Sequence, residues 1–157
     1  MTGTTFDAGF RRTFAALLAW RRDVRRFRTA PVDEALLDHL LDLAGLAPSV
    51  GNSRPWRFVR VDDPGRRAAC APTSPAATPP PWRPKGFWLA ARAHGVGVGW
   101  VSILDPARVG ALLEVPASWR LVAYLCVGWP EEEHVDPELE RAGWQPRTAS
   151  CREVWRR

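Results

Sequence analysis

The sequence predicts one globular domain that contains both helices and strands. Its 157 residues are enough for a single core, and 46% hydrophobic with 25% charged residues is an ordinary balance for such a domain. Apolar residues recur with helical spacing in residues 6–21 and 33–47. Residues 97–104 and 120–128 are short apolar runs of the length of a strand.

Local signals set the bounds of the elements in the first half of the chain. Asp33 can cap the helix over 33–47, and Pro48 ends it. Apolar and polar residues alternate over 56–61, which predicts a strand. The Asp-Asp-Pro-Gly sequence at 62–65 predicts a turn.

The second half is read in the same way. We expect a short helix over 87–94, a helix over 106–113 capped by Asp105, and a last helical turn within 136–142. The run at 120–128 is almost entirely apolar, which predicts a strand in the centre of a sheet.

Between these halves the pattern breaks down. Residues 71–85 contain six prolines without apolar periodicity, so neither a helix nor a central strand can form there. We therefore expect a single domain over 1–157, interrupted by an irregular Pro- and Ala-rich segment at about residues 70–86.

Composition narrows the class of protein. The net charge is +5, but the basic residues are arginines apart from Lys85, and no recognition helix or basic stripe with aromatics accompanies them, so we expect no nucleic-acid partner. No apolar run has membrane-spanning length and no signal peptide is seen, so we expect a cytoplasmic protein that binds no membrane. The three cysteines share no metal-ligand spacing, so we expect reduced thiols and no metal site.

An arginine-rich segment follows the first helix. Arg21, Arg22 and Arg25 could grip a phosphate with their planar forks, or they could form a solvated helix end, and composition alone leaves both open. Asp23 lies among them, and without further context an ion pair is its better interpretation.

A run of alternating glycines precedes Ser102, the second candidate site residue. Gly95, Gly97 and Gly99 alternate with apolar residues and would let the backbone approach something flat or charged. They do not make the Gly-x-Gly-x-x-Gly pattern, so we do not expect a Rossmann site. Ser102 follows without a nucleophile elbow, which excludes nucleophilic hydrolysis and leaves open a hydrogen bond to a bound ring.

Four stretches together resemble the 5,6-dimethylbenzimidazole synthases, which are flavin-destroying members of the nitroreductase-like superfamily. The resemblance covers about residues 10–69 and 87–147. The stretches are Arg21-Arg-Asp-Val-Arg-Arg-Phe27, Ala47-Pro-Ser-Val-Gly51 with Pro55-Trp56, Trp88-Leu-Ala-Ala-Arg-Ala-His-Gly-Val-Gly-Val-Gly-Trp-Val-Ser-Ile103, and Val122-Ala-Tyr-Leu-Cys-Val-Gly-Trp129.

The resemblance implies an α+β fold, with a mainly antiparallel sheet flanked by helices, and a homodimer with FMN at its interface. It implies that reduced FMN reacts with O₂ and is broken into 5,6-dimethylbenzimidazole, the lower ligand of vitamin B12, and erythrose 4-phosphate. The reducing equivalents would come from NAD(P)H through a separate flavin reductase.

The matching motifs also carry site residues. Arg21, Arg22 and Arg25 would hold the phosphate and ribityl chain, Asp23 would act as acid or base, and Ser102 would bond the flavin and take part in the fragmentation. Gly51 would line the ring site and Arg147 would reach the phosphate. The remaining members of the expected cofactor-binding set are Val24, Ser49, Gly99 and Trp100.

One departure from the family is large. Its members have several tens more residues between the Asp-Asp-Pro turn and Trp88, including a sheet strand and the start of a central helix. We therefore expect a truncated centre that exposes Phe58, Val59, Val101 and Leu121. The proline-rich replacement favours a frameshifted, internally deleted or mispredicted gene product, a hypothesis that sequencing the locus tests.

Two other hypotheses for the function stay open. A generic FMN-dependent nitroreductase-like oxidoreductase would use NAD(P)H, but simple hydride transfer has no evident need of Asp23 and Ser102. An inactive truncated remnant would keep the family's motifs without its activity.

Overall fold

A computed structural model of the chain describes residues 5–70, 85–101, 103–143 and 155. Within them lie six α-helices, one short 3-10 helix (Val50–Asn52) and two strands, and we number the α-helices and strands in chain order. The helices are α1 (Ala8–Trp20), α2 (Glu34–Gly45), α3 (Pro64–Ala69), α4 (Lys85–Ala93), α5 (Pro106–Leu112) and α6 (Glu138–Arg141), and the strands are β1 (Gly97–Val101) and β2 (Tyr124–Gly128). None of these described helices has the length and hydropathy that crossing a bilayer requires.

The predicted helices form where their capping residues stand. The Asp33 carboxylate accepts the Leu36 N–H at 3.1 Å and begins α2. Asp105 accepts the Ala107 N–H at 2.9 Å and begins α5, whose first residue is Pro106. These two caps confirm the helix starts that the sequence predicts.

A two-stranded antiparallel sheet is the centre of the described fold. β1 pairs with β2 in a register that sets Gly97 opposite Gly128 and Val101 opposite Tyr124. Its core residues lie mainly on α4 and β1, and Leu40 of α2 completes the cluster. The other members of this core are Phe87, Trp88, Ala91, Val96 and Val98. Helices packed on a small antiparallel sheet confirm the α+β class.

The predicted strand at 56–61 does not form, and this prediction is wrong. A strand needs a neighbour that accepts its ladder hydrogen bonds, and the described residues provide none there. Phe58 and Val59 are 51% and 47% exposed. The segment is instead tied to α2 by the Arg60 guanidinium, which donates to both carboxylate oxygens of Glu34.

The run at 120–128 is also shorter than predicted. Only Tyr124–Gly128 pairs, and β2 has a single neighbour within the described sheet, so the expectation of a central strand is wrong for the residues described. Leu121 is 36% exposed. Phe58, Val59 and Leu121 thus confirm the expected exposure, whereas Val101 packs against the buried side chains of a second small cluster.

The turn expected at 62–65 is the start of a helix. Asp63 accepts the Arg66 N–H at 2.6 Å and Pro64 occupies the first turn of α3. An aspartate followed by proline is a helix start as well as a turn signal, because proline lacks the N–H that a first turn leaves unpaired. Because a Pro-Gly pair is also typical of turns, the sequence predicts a turn here and not a helix start.

The arginine segment, residues 21–28, leaves α1 and runs along the sheet. The Val24 N–H donates to the Val98 carbonyl at 3.1 Å, and the Arg28 N–H donates to the Trp129 carbonyl at 2.8 Å. Between them Phe27 forms an isolated bridge with Pro130. Backbone hydrogen bonds therefore connect the segment to β1 and to the residue that follows β2.

Three glycines make room for this segment. A Cβ on Gly99 would lie 2.3 Å from the Val24 carbonyl oxygen, and one on Gly97 would lie 2.9 Å from Val24 Cγ1. A Cβ on Gly128 would lie 3.0 Å from the Phe27 ring. The flat and polar partner that the glycine run admits in this structure is therefore the chain's own arginine segment.

Replacing Gly99 with alanine should loosen this packing. Since the obstructing atom is backbone oxygen, the segment has to move away, at a cost of about 1–3 kcal/mol in the free energy of unfolding. Urea denaturation measures it. Gly86→Ala is the control, because nothing lies within 4 Å of that Cβ and the site is helical. Equal, small effects of the two substitutions would contradict the packing account.

Candidate active site

Asp23 is fixed at the edge of β1. Its Oδ1 accepts the Trp100 N–H at 3.0 Å, beside the Val24 to Val98 hydrogen bond. The carboxylate thus takes the place that a neighbouring strand's carbonyl would fill. A carboxylate held by a backbone N–H has a defined position, which is what an acid or base at a reacting atom requires.

The three arginines assigned to a phosphate have different surroundings. Arg22 Nη1 donates to the carbonyl oxygens of Ala19 at 2.6 Å and Arg21 at 2.8 Å, so this side chain caps the end of α1. The Arg22 Nε is buried, and no described residue accepts its hydrogen bond. Arg25 is exposed.

Two tryptophans and two arginines join the end of α1 to α4. The Arg21 Cζ lies 4.7 Å from the ring centroid of Trp88, and the Arg92 Cζ lies 4.3 Å from that of Trp20. We call these four residues the cation–π cluster. Trp88 and Arg92 are 4% and 3% exposed, so one member of each pair is shielded from water, and desolvation strengthens a cation–π contact.

The cluster extends to the strand that holds Asp23. The Trp88 and Trp100 rings are stacked at 22° with their centroids 6.5 Å apart. Trp100 is also the residue whose N–H donates to Asp23. One buried indole therefore contacts both Arg21 and the residue bonded to Asp23.

The acidic patch at Glu131–Glu133 forms ion pairs with basic side chains. Glu133 accepts from Arg92 at 2.6 Å, and Glu132 lies 3.5 Å from Arg26. The hydrogen bond from His134, and then Arg26, lower the pKa of Glu132 below its ordinary value. Two of these carboxylates therefore balance part of the basic charge beside the candidate site.

Cys126 lies on the sheet opposite Gly99. Burial raises the pKa of its thiol above the ordinary value, and the nearby Asp23 charge raises it further. The side chain is only partly buried, so we expect the raised pKa, as well as limited access, to slow the reactions of this thiol.

The loop after α2 contains the other predicted residues. Ser49 Oγ accepts the Arg54 N–H at 3.0 Å, which closes the loop locally. Gly51 has a φ of 58°, with open space where a Cβ would stand. Asn52 and Arg54 also have positive φ, so this loop holds strained backbone in residues that rarely adopt it.

The structure thus brings Arg21, Arg22, Asp23, Val24 and Arg25 together with Gly99 and Trp100. Ser102 and Arg147 lie outside the described residues. The roles of all these residues stay predictions.

Sequence reasoning missed Trp20, Trp88, Arg92 and Phe27. The four-residue spacing of Trp88 and Arg92 places them on one helix face, which was a usable signal. Their partners, by contrast, lie about 70 positions away in the chain and could not be read from spacing.

The charge of Asp23 should be visible in the chemistry of Cys126. Asp23→Asn keeps an oxygen for the Trp100 N–H but removes the negative charge, so the thiol pKa should fall and alkylation by iodoacetamide at a fixed pH should accelerate. Peptide mass spectrometry gives the rate at each pH. Asp38→Asn, on the exposed side of α2, should leave the profile unchanged, and an unchanged profile in Asp23→Asn would contradict the proximity.

Comparison with known proteins places this geometry in a family. A model of the nitroreductase family matches residues 18–81 and 85–129. The chain is 45% identical to 5,6-dimethylbenzimidazole synthase of Rhodospirillum rubrum over 201 aligned positions, which cover 93% of this chain and 95% of the relative. It is 35% identical to 5,6-dimethylbenzimidazole synthase of Rhodobacter capsulatus, with coverage of 89% and 94%.

Solved structures agree on the fold. A nitroreductase from Parabacteroides distasonis superposes with a TM-score of 0.65 at 20% identity, over 78% of this chain and 89% of that one. Iodotyrosine deiodinase, solved with FMN and 3-iodo-L-tyrosine, superposes with a TM-score of 0.62 at 20% identity, over 91% and 97%.

The alignment with the Rhodospirillum rubrum relative is longer than the chain itself, at 201 positions against 157 residues. The relative therefore has residues that this chain lacks, although the two align over more than nine-tenths of each. The family model is likewise matched in two pieces that meet near residues 82–84. With these matches, the chain belongs to the nitroreductase family, and its similarity extends over nearly its whole length to the 5,6-dimethylbenzimidazole synthases within it.

Proposed function

We propose that this protein is a 5,6-dimethylbenzimidazole synthase, which fragments reduced FMN with O₂ into 5,6-dimethylbenzimidazole and erythrose 4-phosphate for the lower ligand of cobalamin. The observation that carries the proposal is the fixed position of Asp23. It lies within the arginine segment and accepts a hydrogen bond from the N–H of Trp100 in β1, two residues before Ser102 in the chain. The similarity to named synthases supports the same reaction.

The arginine segment has the donors that a flavin phosphate needs. Arg22 has a buried Nε without an acceptor among the described residues, and Arg25 is exposed. Arg21 is oriented by Trp88. Guanidinium groups bind phosphate oxygens with paired, charge-assisted hydrogen bonds. These three side chains would hold the phosphate and the start of the ribityl chain, with Arg147 as a further donor.

FMN supplies the electrons for O₂ and is also the substrate that is consumed. In our proposal Asp23 accepts or returns a proton at the carbon whose bond breaks, and the Trp100 N–H keeps that carboxylate in place. Ser102 donates a hydrogen bond to the flavin. Val24, Ser49, Gly51, Gly99 and Trp100 line the ring and ribityl sites.

Two partners belong to the proposal. A separate flavin reductase would reduce FMN with NAD(P)H. A homodimer is supported by an exposed apolar stripe on and just before α1, since such stripes mark protein interfaces. Its residues are 43–53% exposed, and they are Phe6, Phe10, Phe14 and Leu18.

A second candidate is an inactive remnant, which the exposed residues favour. At about 25 cal/mol per Å², a few hundred Å² of apolar surface left unburied costs several kcal/mol, comparable with a net stability of about 5–15 kcal/mol. Phe58, Val59 and Leu121 contribute to such a surface. A generic FMN-dependent oxidoreductase is a weaker alternative, because it leaves Asp23 without a function.

Single-turnover incubation with chemically reduced FMN in air should separate these functions. We expect 5,6-dimethylbenzimidazole by chromatography, and Asp23→Asn should lower its yield per turnover by at least about 100-fold, the usual loss when a general acid or base is removed. Asp38→Asn, an exposed aspartate of α2, is the matched control and should retain the wild-type yield.

Simple reoxidation to intact FMN, at the rate seen without protein, would contradict the proposal. A colourless and poorly folded preparation with that result would favour the remnant. A yellow preparation that oxidises NAD(P)H and returns intact FMN would favour the generic oxidoreductase.

A further inference from the structure

We infer that Trp88 is a positioning residue that orients Arg21 toward the phosphate of the flavin. The inference rests on the proposed function, because it assumes that Arg21 contacts the phosphate. Trp88 itself touches neither substrate nor reacting atoms in this account. It acts through the Arg21 guanidinium and through the Trp100 ring.

The geometry gives Trp88 a central position between three elements. It lies on α4 and is 4% exposed. Its ring has the Arg21 Cζ 4.7 Å from its centroid and is stacked on Trp100 of β1. Because Arg21 is the first residue after α1, this contact joins the start of the arginine segment to α4.

A guanidinium held over the face of an indole by a cation–π contact is restricted in position, and its N–H donors can still bind an anion beside the ring. Without that ring, the long Arg21 side chain has many rotamers, and binding a phosphate would require it to lose that freedom. Trp88 therefore pre-organises one phosphate donor. The second pair of the cation–π cluster joins Arg92 of α4 to Trp20 of α1, so it provides another contact between these two helices.

The phosphate can be isolated by comparing two ligands. FMN and riboflavin share the ring and ribityl chain and differ in the phosphate, so the ratio of their dissociation constants reports the phosphate contact alone. A general loss of stability weakens both ligands together and leaves this ratio unchanged. Fluorescence titration of the oxidised flavins, which are not consumed, measures both constants on the full chain.

Trp88→Leu should reduce the preference for FMN over riboflavin by up to about tenfold, the cost of immobilising one long side chain that is no longer held in place. Trp88→Phe should retain most of it, because a phenyl ring still offers an aromatic face. The indole Nε1–H has no hydrogen-bond partner among the described residues, so this exchange loses no bond within them. Trp88→Met, which fills more of the space, is measured beside Trp88→Leu in case the latter does not fold.

The matched control is Phe87→Leu, a buried neighbour on the same helix, which should leave the preference at the wild-type value. Arg21→Gln should reproduce the loss, and adding Trp88→Leu to it should cause no further loss. The inference is overturned if a folded Trp88→Leu or Trp88→Met variant keeps the wild-type preference, or if Phe87→Leu lowers it equally. If the wild-type chain itself shows no preference for FMN over riboflavin, the proposed phosphate site is wrong. The wild-type measurement therefore separates failure of the phosphate site from failure of the role of Trp88.

Discussion

The candidate site depends on the close approach of the arginine segment to β1. Val24 and Phe27 lie where Gly97, Gly99 and Gly128 have no side chains. Because only glycine leaves that space, the two backbones lie close enough for the Val24 N–H to donate to the Val98 carbonyl. The Trp100 N–H can then donate to the Asp23 carboxylate. A methyl group at Gly99 would separate the two, and the carboxylate would lose its fixed position.

This contact does not involve the apolar residues that the described structure leaves exposed. Phe58, Val59 and Leu121 are exposed among the described residues, whereas Asp23 and Trp100 have their hydrogen bond within them. The exposed apolar residues therefore bear on stability more directly than on the position of Asp23. The cation–π cluster adds a second connection, since it links the same segment to α4 through Arg21 and Trp88.

How far the sequence predicts the structure depends on how local each signal is. The starts of α2 and α5 are predictable because Asp33 and Asp105 bond the N–H groups that directly follow them. Residues 56–61 alternate like a strand, yet a strand exists only with a partner, which local alternation cannot supply. The arginine segment is recognisable by its motif, but its contact with the glycine run joins residues more than 70 positions apart, which spacing alone does not reveal.

Native-state hydrogen exchange tests the central claim most directly. The amide protons of Val24, Arg28 and Trp100 donate the hydrogen bonds that dock the arginine segment. If the docking is as stable as the sheet, these amides should exchange about as slowly as those of the β1–β2 ladder. Rapid exchange at all three positions, with the ladder still protected, would show that the segment does not rest on β1 and would contradict this account of the site.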